Sequence, residues 1–110
     1  FYLDNTSENV ILSLRSSTWD YFQNAIWEVV NHENGTGKAA RINGATVHGK
    51  TGTAQNPHGE DHSWFAGYLV KDGSPILSLV VLVEHGGKGS VEAALISQKI
   101  FNYAQKNFSL

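Results

Sequence analysis

The densest chemical string in the chain is Gly44-Ala45-Thr46-Val47-His48-Gly49-Lys50-Thr51, which satisfies G-x-x-x-x-G-K-[ST], the pattern of a loop that cradles nucleotide phosphates. Such a loop needs a helix that begins at the lysine, so that free N–H groups and the helix dipole meet the phosphates. The residues that follow are Gly52-Thr53-Ala54-Gln55-Asn56-Pro57, which favour a strand and a turn instead. Nucleotide binding is therefore disfavoured. Read as a strand, the same residues offer different chemistry. The Lys50 ammonium and the Thr51 and Thr53 hydroxyls beside Gly52 form a cationic, hydroxyl-rich edge suited to a peptide carboxylate, with backbone N–H groups free to hold an oxyanion. Strand alternation puts Lys50 and Thr51 on opposite faces, so joint action requires an edge strand whose twist opens it to a cleft. Taken alone, Lys50 is more simply a solvated strand lysine.

His58 and His62 bracket Gly59-Glu60-Asp61, a spacing that aligns two metal ligands only on a helix, and Pro57 and Gly59 oppose a helix there. The expectation is no metal site, but a turn in which Asp61 and His62 structure the following strand. His32, His48 and His85 are scattered and read as structural. Trp64 and Phe65 read as core or cleft-wall aromatics, and Gly86-Gly87-Lys88-Gly89 as a tight strand-to-helix turn.

These residues need a scaffold, and the patterning predicts one. Residues 1–15 form a weakly patterned lead-in. Ser17 with Asp20 gives a capping-box pattern, after which Trp19, Phe22, Ile26, Val29 and Val30 recur at helical spacing over residues 18–33. Asn34-Gly35 is expected to end that helix through tolerance of positive φ. Residues 46–55, 63–70 and 76–84 read as three strands joined by turns at 56–59 and 71–75, an antiparallel meander with the Lys50 strand at an outer edge. Pro57 and Pro75 are both assigned to these polar connections. The third run is apolar at nearly every position, which predicts burial on both faces. Ser90 is placed as the cap of a second helix in which Ala93, Ile96, Ile100, Tyr103 and Ala104 share a face. That helix covers one side of the sheet, and the Trp19 helix is the candidate for the other. The fold class is α+β, an antiparallel sheet flanked by helices.

Composition narrows the function classes. At 110 residues there is room for one domain or part of one, and 41% hydrophobic against 16% charged residues is the balance of a chain that packs. A net charge of −2 gives no electrostatic drive toward nucleic acid or an anionic membrane. With no cysteine there is neither disulfide nor thiolate metal site. The longest apolar run, residues 76–83, is far short of the ~20 residues that a spanning helix needs. The chain opens on Phe1, has no methionine and shows no charged segment followed by an apolar one, so it reads as an excised piece without a secretory leader.

Three strings occur in a telling order: Lys50-Thr51-Gly52-Thr53-Ala54-Gln55, then Asp61-His62-Ser63-Trp64-Phe65-Ala66-Gly67-Tyr68, then Val83-Glu84-His85-Gly86-Gly87. With the Trp19 helix, Val29-Val30 and Gly35-Thr36-Gly37 ahead of them, they resemble the C-terminal part of the transpeptidase domain of class B penicillin-binding proteins, closest to the penicillin-binding protein 2 branch of cell elongation. K-T-G is itself among the active-site motifs of penicillin-binding proteins and serine β-lactamases. The likeness covers residues 10–108. It implies the serine β-lactamase-like transpeptidase fold and cross-linking of peptidoglycan stem peptides ending in D-Ala-D-Ala through an acyl-enzyme, with β-lactams bound at the same site and no cofactor. It further implies that Lys50 and Thr51 contact the substrate or drug carboxylate and assist proton transfer, that Thr53 supplies an oxyanion N–H, and that Gly52 and Gln55 complete the substrate strand. The remainder of the domain, the elongation machinery and a location on the outer face of the cytoplasmic membrane, in a membrane-anchored parent, follow from the same likeness.

No serine is followed three residues later by lysine, so the family's S-x-x-K nucleophile motif is absent from these residues. Ser7-Glu8-Asn9 spells S-x-N, but too close to the K-T-G strand for the family's element. The chain is expected to be inert toward β-lactams alone. A non-catalytic β-lactam-sensing or interaction domain on the same fold is the alternative.

Overall fold

A computed structural model describes residues 12–108 of the chain. The Ser7-Glu8-Asn9 string and most of the expected lead-in lie outside them. The elements follow in the order α1 (Ser16–Asn31), a single 3₁₀ turn (Lys38–Ala40), β1 (Thr46–Ala54), β2 (His62–Lys71), β3 (Ser74–Val83) and α2 (Glu92–Asn107). The three strands pair antiparallel in the order β1-β2-β3, so β1 occupies an outer edge as its Gly-spaced polarity predicts. No helix starts at Lys50, because β1 runs through it to Ala54, and this removes the phosphate-loop geometry.

The β2–β3 hairpin turns on Asp72 (φ 50) and Gly73 (φ 77). Two consecutive residues at positive φ are what a two-residue hairpin with right-twisted strands requires, and Asp-Gly supplies them at low cost. Pro75 lies inside β3 rather than in the turn. It is accommodated at the start of the strand, opposite Val70, beside the register shift between Leu69 and Val70.

Register divides the sheet into two faces. Val47, Gly49, Thr51, Phe65, Gly67, Leu69, Leu79 and Val81 lie on one, and α2 packs over it. Phe65 and Phe101 are wholly buried there with Leu69, Val47, Ala93 and Ala94, while Val30 of α1 and Ala40 of the 3₁₀ turn close the end of the core. Gly49 and Gly67 face each other across β1 and β2, and the Phe65 ring occupies the space their side chains would take. That ring fills the helix-facing surface, and α2 meets it with a buried stripe of Ala93, Ala94, Ser97, Phe101 and Ala104, small residues except for Phe101. Of the predicted stripe, Ala93 and Ala104 are buried and Ile96 packs against the core, but the other two residues are not. Ile100 and Tyr103 are 42% and 62% exposed, whereas Phe101 is buried.

The second face differs from expectation more strongly. Val80 and Leu82 of β3 are 65% and 45% exposed, so the apolar run is buried on one side only within these residues. The helix expected to cover that side, α1, packs chiefly on β1.

Both helix starts also differ from the sequence reading. Arg15, not Ser17, occupies the N-cap of α1, and Val91, not Ser90, that of α2; neither side chain caps. The cap of α2 is tertiary: the buried Ser63 hydroxyl on β2 accepts the Ala93 N–H at 3.0 Å. At the far end of α1 the chain leaves at His32, and Gly35 has no positive φ. Gly35 is required for space, since a Cβ there would collide with the Val29 carbonyl oxygen.

Candidate active-site cleft

Edge position decides which backbone groups of β1 are available. Within a strand the N–H and C=O of one residue point to the same side, and the side alternates with the next residue. The Val47 carbonyl accepts Asn31 Nδ2 at 2.9 Å, and the Thr51 carbonyl accepts Lys50 Nζ at 2.7 Å. Both bonds come from outside the sheet, so residues 47, 49, 51 and 53 aim their backbone polar groups outward. By the same alternation the Thr53 N–H points away from β2, outward from the edge. The Lys50 bond also bears on the alternation problem: the side chain, rooted on the exposed face, reaches the strand edge, where its ammonium meets the Thr51 carbonyl and borders the cleft.

A cleft of about 530 Å³ opens along this edge, lined by Thr36, Lys50, Thr51, Gly52, Thr53, Asp61, Lys88 and Ser90. The floor is held by hydroxyls. Thr51, nearly buried, shares a 2.9 Å hydrogen bond with the Thr36 hydroxyl, and Thr36 is positioned by Gly37, whose N–H donates to the Val29 carbonyl at the end of α1 (2.8 Å). Thr53 is exposed, and its hydroxyl accepts the Gly89 N–H at 3.3 Å, leaving its own proton to donate. Gln55 lies past the end of β1, exposed and away from the residues that line the cleft.

The wall opposite Thr53 is the loop between β3 and α2. A Cβ on Gly89 would collide with the Gly52 carbonyl oxygen and come within 2.8 Å of the Trp64 carbonyl oxygen, so only glycine lets the loop lie against the strand. Two residues earlier the Gly87 N–H donates to the Asp61 carbonyl (2.8 Å). The turn at Asn56 is an Asx-turn, with the Asn56 side chain accepting the His58 N–H at 3.0 Å, and Asp61 Oδ1 accepts the Asn56 N–H at 3.2 Å. His62 Nδ1 accepts the His85 N–H at 3.0 Å, and the two rings meet edge-on, their centroids 5.1 Å apart. Asp61 and His62 thus structure the next strand, as expected. Among the described residues no three metal-binding side chains converge.

Charge is unevenly placed. Lys50 and Lys88 both face the cleft, neither forms an ion pair among the described residues, and Asp61 is the cleft's single carboxylate. A larger groove of about 770 Å³ lies on the exposed sheet face between α1 and β3; Lys50 borders this groove as well as the cleft, and apart from Lys50, Tyr68 and Ser78 its lining is apolar. Two residues from Lys50 on that face, His48 stacks on Tyr68 with centroids 5.0 Å apart. Burial lowers the His48 pKa from 6.5 and raises that of Tyr68 from 10.0, since each loses hydration of its charged form.

The structure brings Lys50, Thr51, Gly52 and Thr53 together and adds Thr36, Lys88 and Ser90, which the sequence reading did not place in the site. The meander carries part of the signal for Lys88: Thr53 pairs with Ser63 and Ser63 with Val83, so the loop after Val83 starts at the same end of the sheet as Thr53, two strands away.

Comparison with known proteins gives a consistent family. Residues 4–103 match the penicillin binding protein transpeptidase domain. The peptidoglycan D,D-transpeptidase MrdA of Haemophilus influenzae is 34% identical over 103 residues, covering 79% of this chain and 16% of MrdA. Among solved structures, the transpeptidase domain of the FtsI4 D,D-transpeptidase from Legionella pneumophila superposes with a TM-score of 0.71 at 28% identity, over 84% of this chain and 37% of that one. PBP2 of Pseudomonas aeruginosa in complex with WCK 5153 gives 0.69 at 26% identity, over 89% and 21%. The chain therefore spans about a sixth of the curated relative's length. With the three-strand sheet and its two helices, these matches show that the chain belongs to the penicillin-binding protein transpeptidase family.

Proposed function

We propose that the chain is the substrate-clamping part of a peptidoglycan D,D-transpeptidase. The observation that carries this is the Lys50 side chain reaching the edge of β1, which puts an ammonium, the Thr51 and Thr53 hydroxyls and an outward Thr53 N–H on one cleft. The terminal carboxylate of a D-Ala-D-Ala stem peptide, or of a β-lactam, binds the Lys50 ammonium with the threonine hydroxyls. A serine from the remainder of the domain attacks the penultimate D-Ala carbonyl. The developing oxyanion accepts the Thr53 N–H. Collapse expels the terminal D-Ala as the peptide bond breaks, its nitrogen taking up the proton that the serine surrendered, and leaves a serine ester. The amino group of a neighbouring stem peptide then attacks the ester to form the cross-link, and the serine regains its proton. A β-lactam follows the first step but keeps its leaving group tethered.

Lys50 and Thr51 also relay protons in this reading, and no cofactor is needed. The remainder of the domain covers the apolar sheet face and pairs with the outer edge of β3. Support comes from the exposure of Val80 and Leu82 and from the small share of each relative that the chain spans. The reaction belongs on the outer face of the cytoplasmic membrane, where peptidoglycan is cross-linked, with the elongation machinery as partner. No helix among the described residues is long and apolar enough to cross a membrane.

Intact-mass spectrometry after incubation with benzylpenicillin tests the reading. The full-length protein is expected to gain one penicillin and the isolated 110 residues none. An unlabelled full-length protein that binds penicillin reversibly would replace the enzyme with a β-lactam-sensing domain.

A further inference from the structure

Lys88 stands on the wall of the cleft opposite the β1 edge, and its backbone is fixed on both sides. Gly87 is bound to the Asp61 carbonyl and Gly89 to the Thr53 hydroxyl, and the Lys88 carbonyl itself accepts the Val91 N–H at 3.0 Å. The side chain has no ionic partner among the described residues, although the chain as a whole is acidic. A ligand with one carboxylate, held by Lys50, leaves this second ammonium unmatched. We propose that Lys88 determines specificity, favouring acyl donors that carry a second carboxylate in addition to the terminal one. The inference rests on the transpeptidase reading above and names a preference within it.

The second carboxylate meets a lysine whose backbone is held but whose side chain is exposed, so water is only partly displaced. The gain corresponds to an exposed ion pair, roughly twofold to fivefold in rate. Because both charges remain near solvent, the gain shrinks as salt is raised.

Benzylpenicillin and carbenicillin differ by one carboxylate on the acyl side chain and serve as the probes. The readout is the ratio of their second-order acylation rate constants in the full-length protein. Lys88→Gln is expected to lower the carbenicillin-to-benzylpenicillin ratio about twofold to fivefold, Lys88→Glu to lower it further, and Lys88→Arg to keep it. Lys99→Gln, which removes a charge from the exposed surface of α2 outside the cleft, is expected to leave the ratio at the wild-type value. An unchanged ratio in Lys88→Gln overturns the proposal, as does an equal fall in Lys99→Gln, which would trace the effect to overall charge. Failure of both penicillins to form an adduct overturns the transpeptidase reading and the preference with it.

Discussion

Two fully buried serines sit 34 residues apart in sequence and both bond to Ala93, yet their removal should have unequal consequences. Ser63 Oγ accepts the Ala93 N–H at 3.0 Å, a group with no intrahelical acceptor because it lies in the first turn of α2. Ser97 Oγ donates to the Ala93 carbonyl at 2.7 Å, which the regular helical ladder also serves. Ser63→Ala therefore leaves a buried donor without a partner, at a cost of about 1–3 kcal/mol. Ser97→Ala removes donor and bond together and gains helix propensity, so the change should stay within about 0.5 kcal/mol. Urea unfolding of the full-length variants gives the difference, and amide exchange at Ala93 localises it: Ser63→Ala should speed exchange there, Ser97→Ala should not. Equal destabilisation by the two substitutions would refute the view that a strand hydroxyl, not a local cap, starts α2.

Gly89→Ala places a methyl against the Gly52 and Trp64 carbonyl oxygens, and backbone cannot yield as a side chain can. The loop should lift from Thr53 at a cost of about 1–3 kcal/mol, seen as slower acylation with a lower urea midpoint. His48 gives a pH dependence of defined sign. Its folded-state pKa lies below 6.5, so the unfolded chain binds more protons as the pH falls through that value. Stability should drop on acidification below about 6.5, and His48→Gln should flatten the change in urea midpoint between pH 7.5 and 5.5 relative to the wild type.

Elements were legible in the sequence wherever period and punctuation agreed. The Gly-interrupted, β-branched residues 46–55, the Asp72-Gly73 turn and the apolar third run each point to one local structure, and the meander follows from them. What escaped depends on packing between elements. The stripe of α2 turns on the Phe65 ring filling the gap between Gly49 and Gly67, and a helical pattern weighted by large aliphatics has no access to that. The cap of α2 comes from a residue 30 positions away. The apolar character of β3 predicts two-sided burial, but in these residues only the α2 face is covered. Within the site, residue types revealed Lys50, Thr51 and Thr53, whereas Thr36, Lys88 and Ser90 join them only through the register of the meander and the end of α1.

The central claim is that Lys50, reaching the edge of β1, holds the carboxylate of the acyl donor. A double-mutant cycle tests it: acylation rate constants of the full-length protein and of Lys50→Gln, each with benzylpenicillin and with its carboxylate methyl ester. The account predicts that esterification slows the wild-type protein on the order of tenfold to a hundredfold, as expected for loss of a charge-assisted hydrogen bond, and has little effect on Lys50→Gln. An undiminished effect of esterification in Lys50→Gln would contradict it.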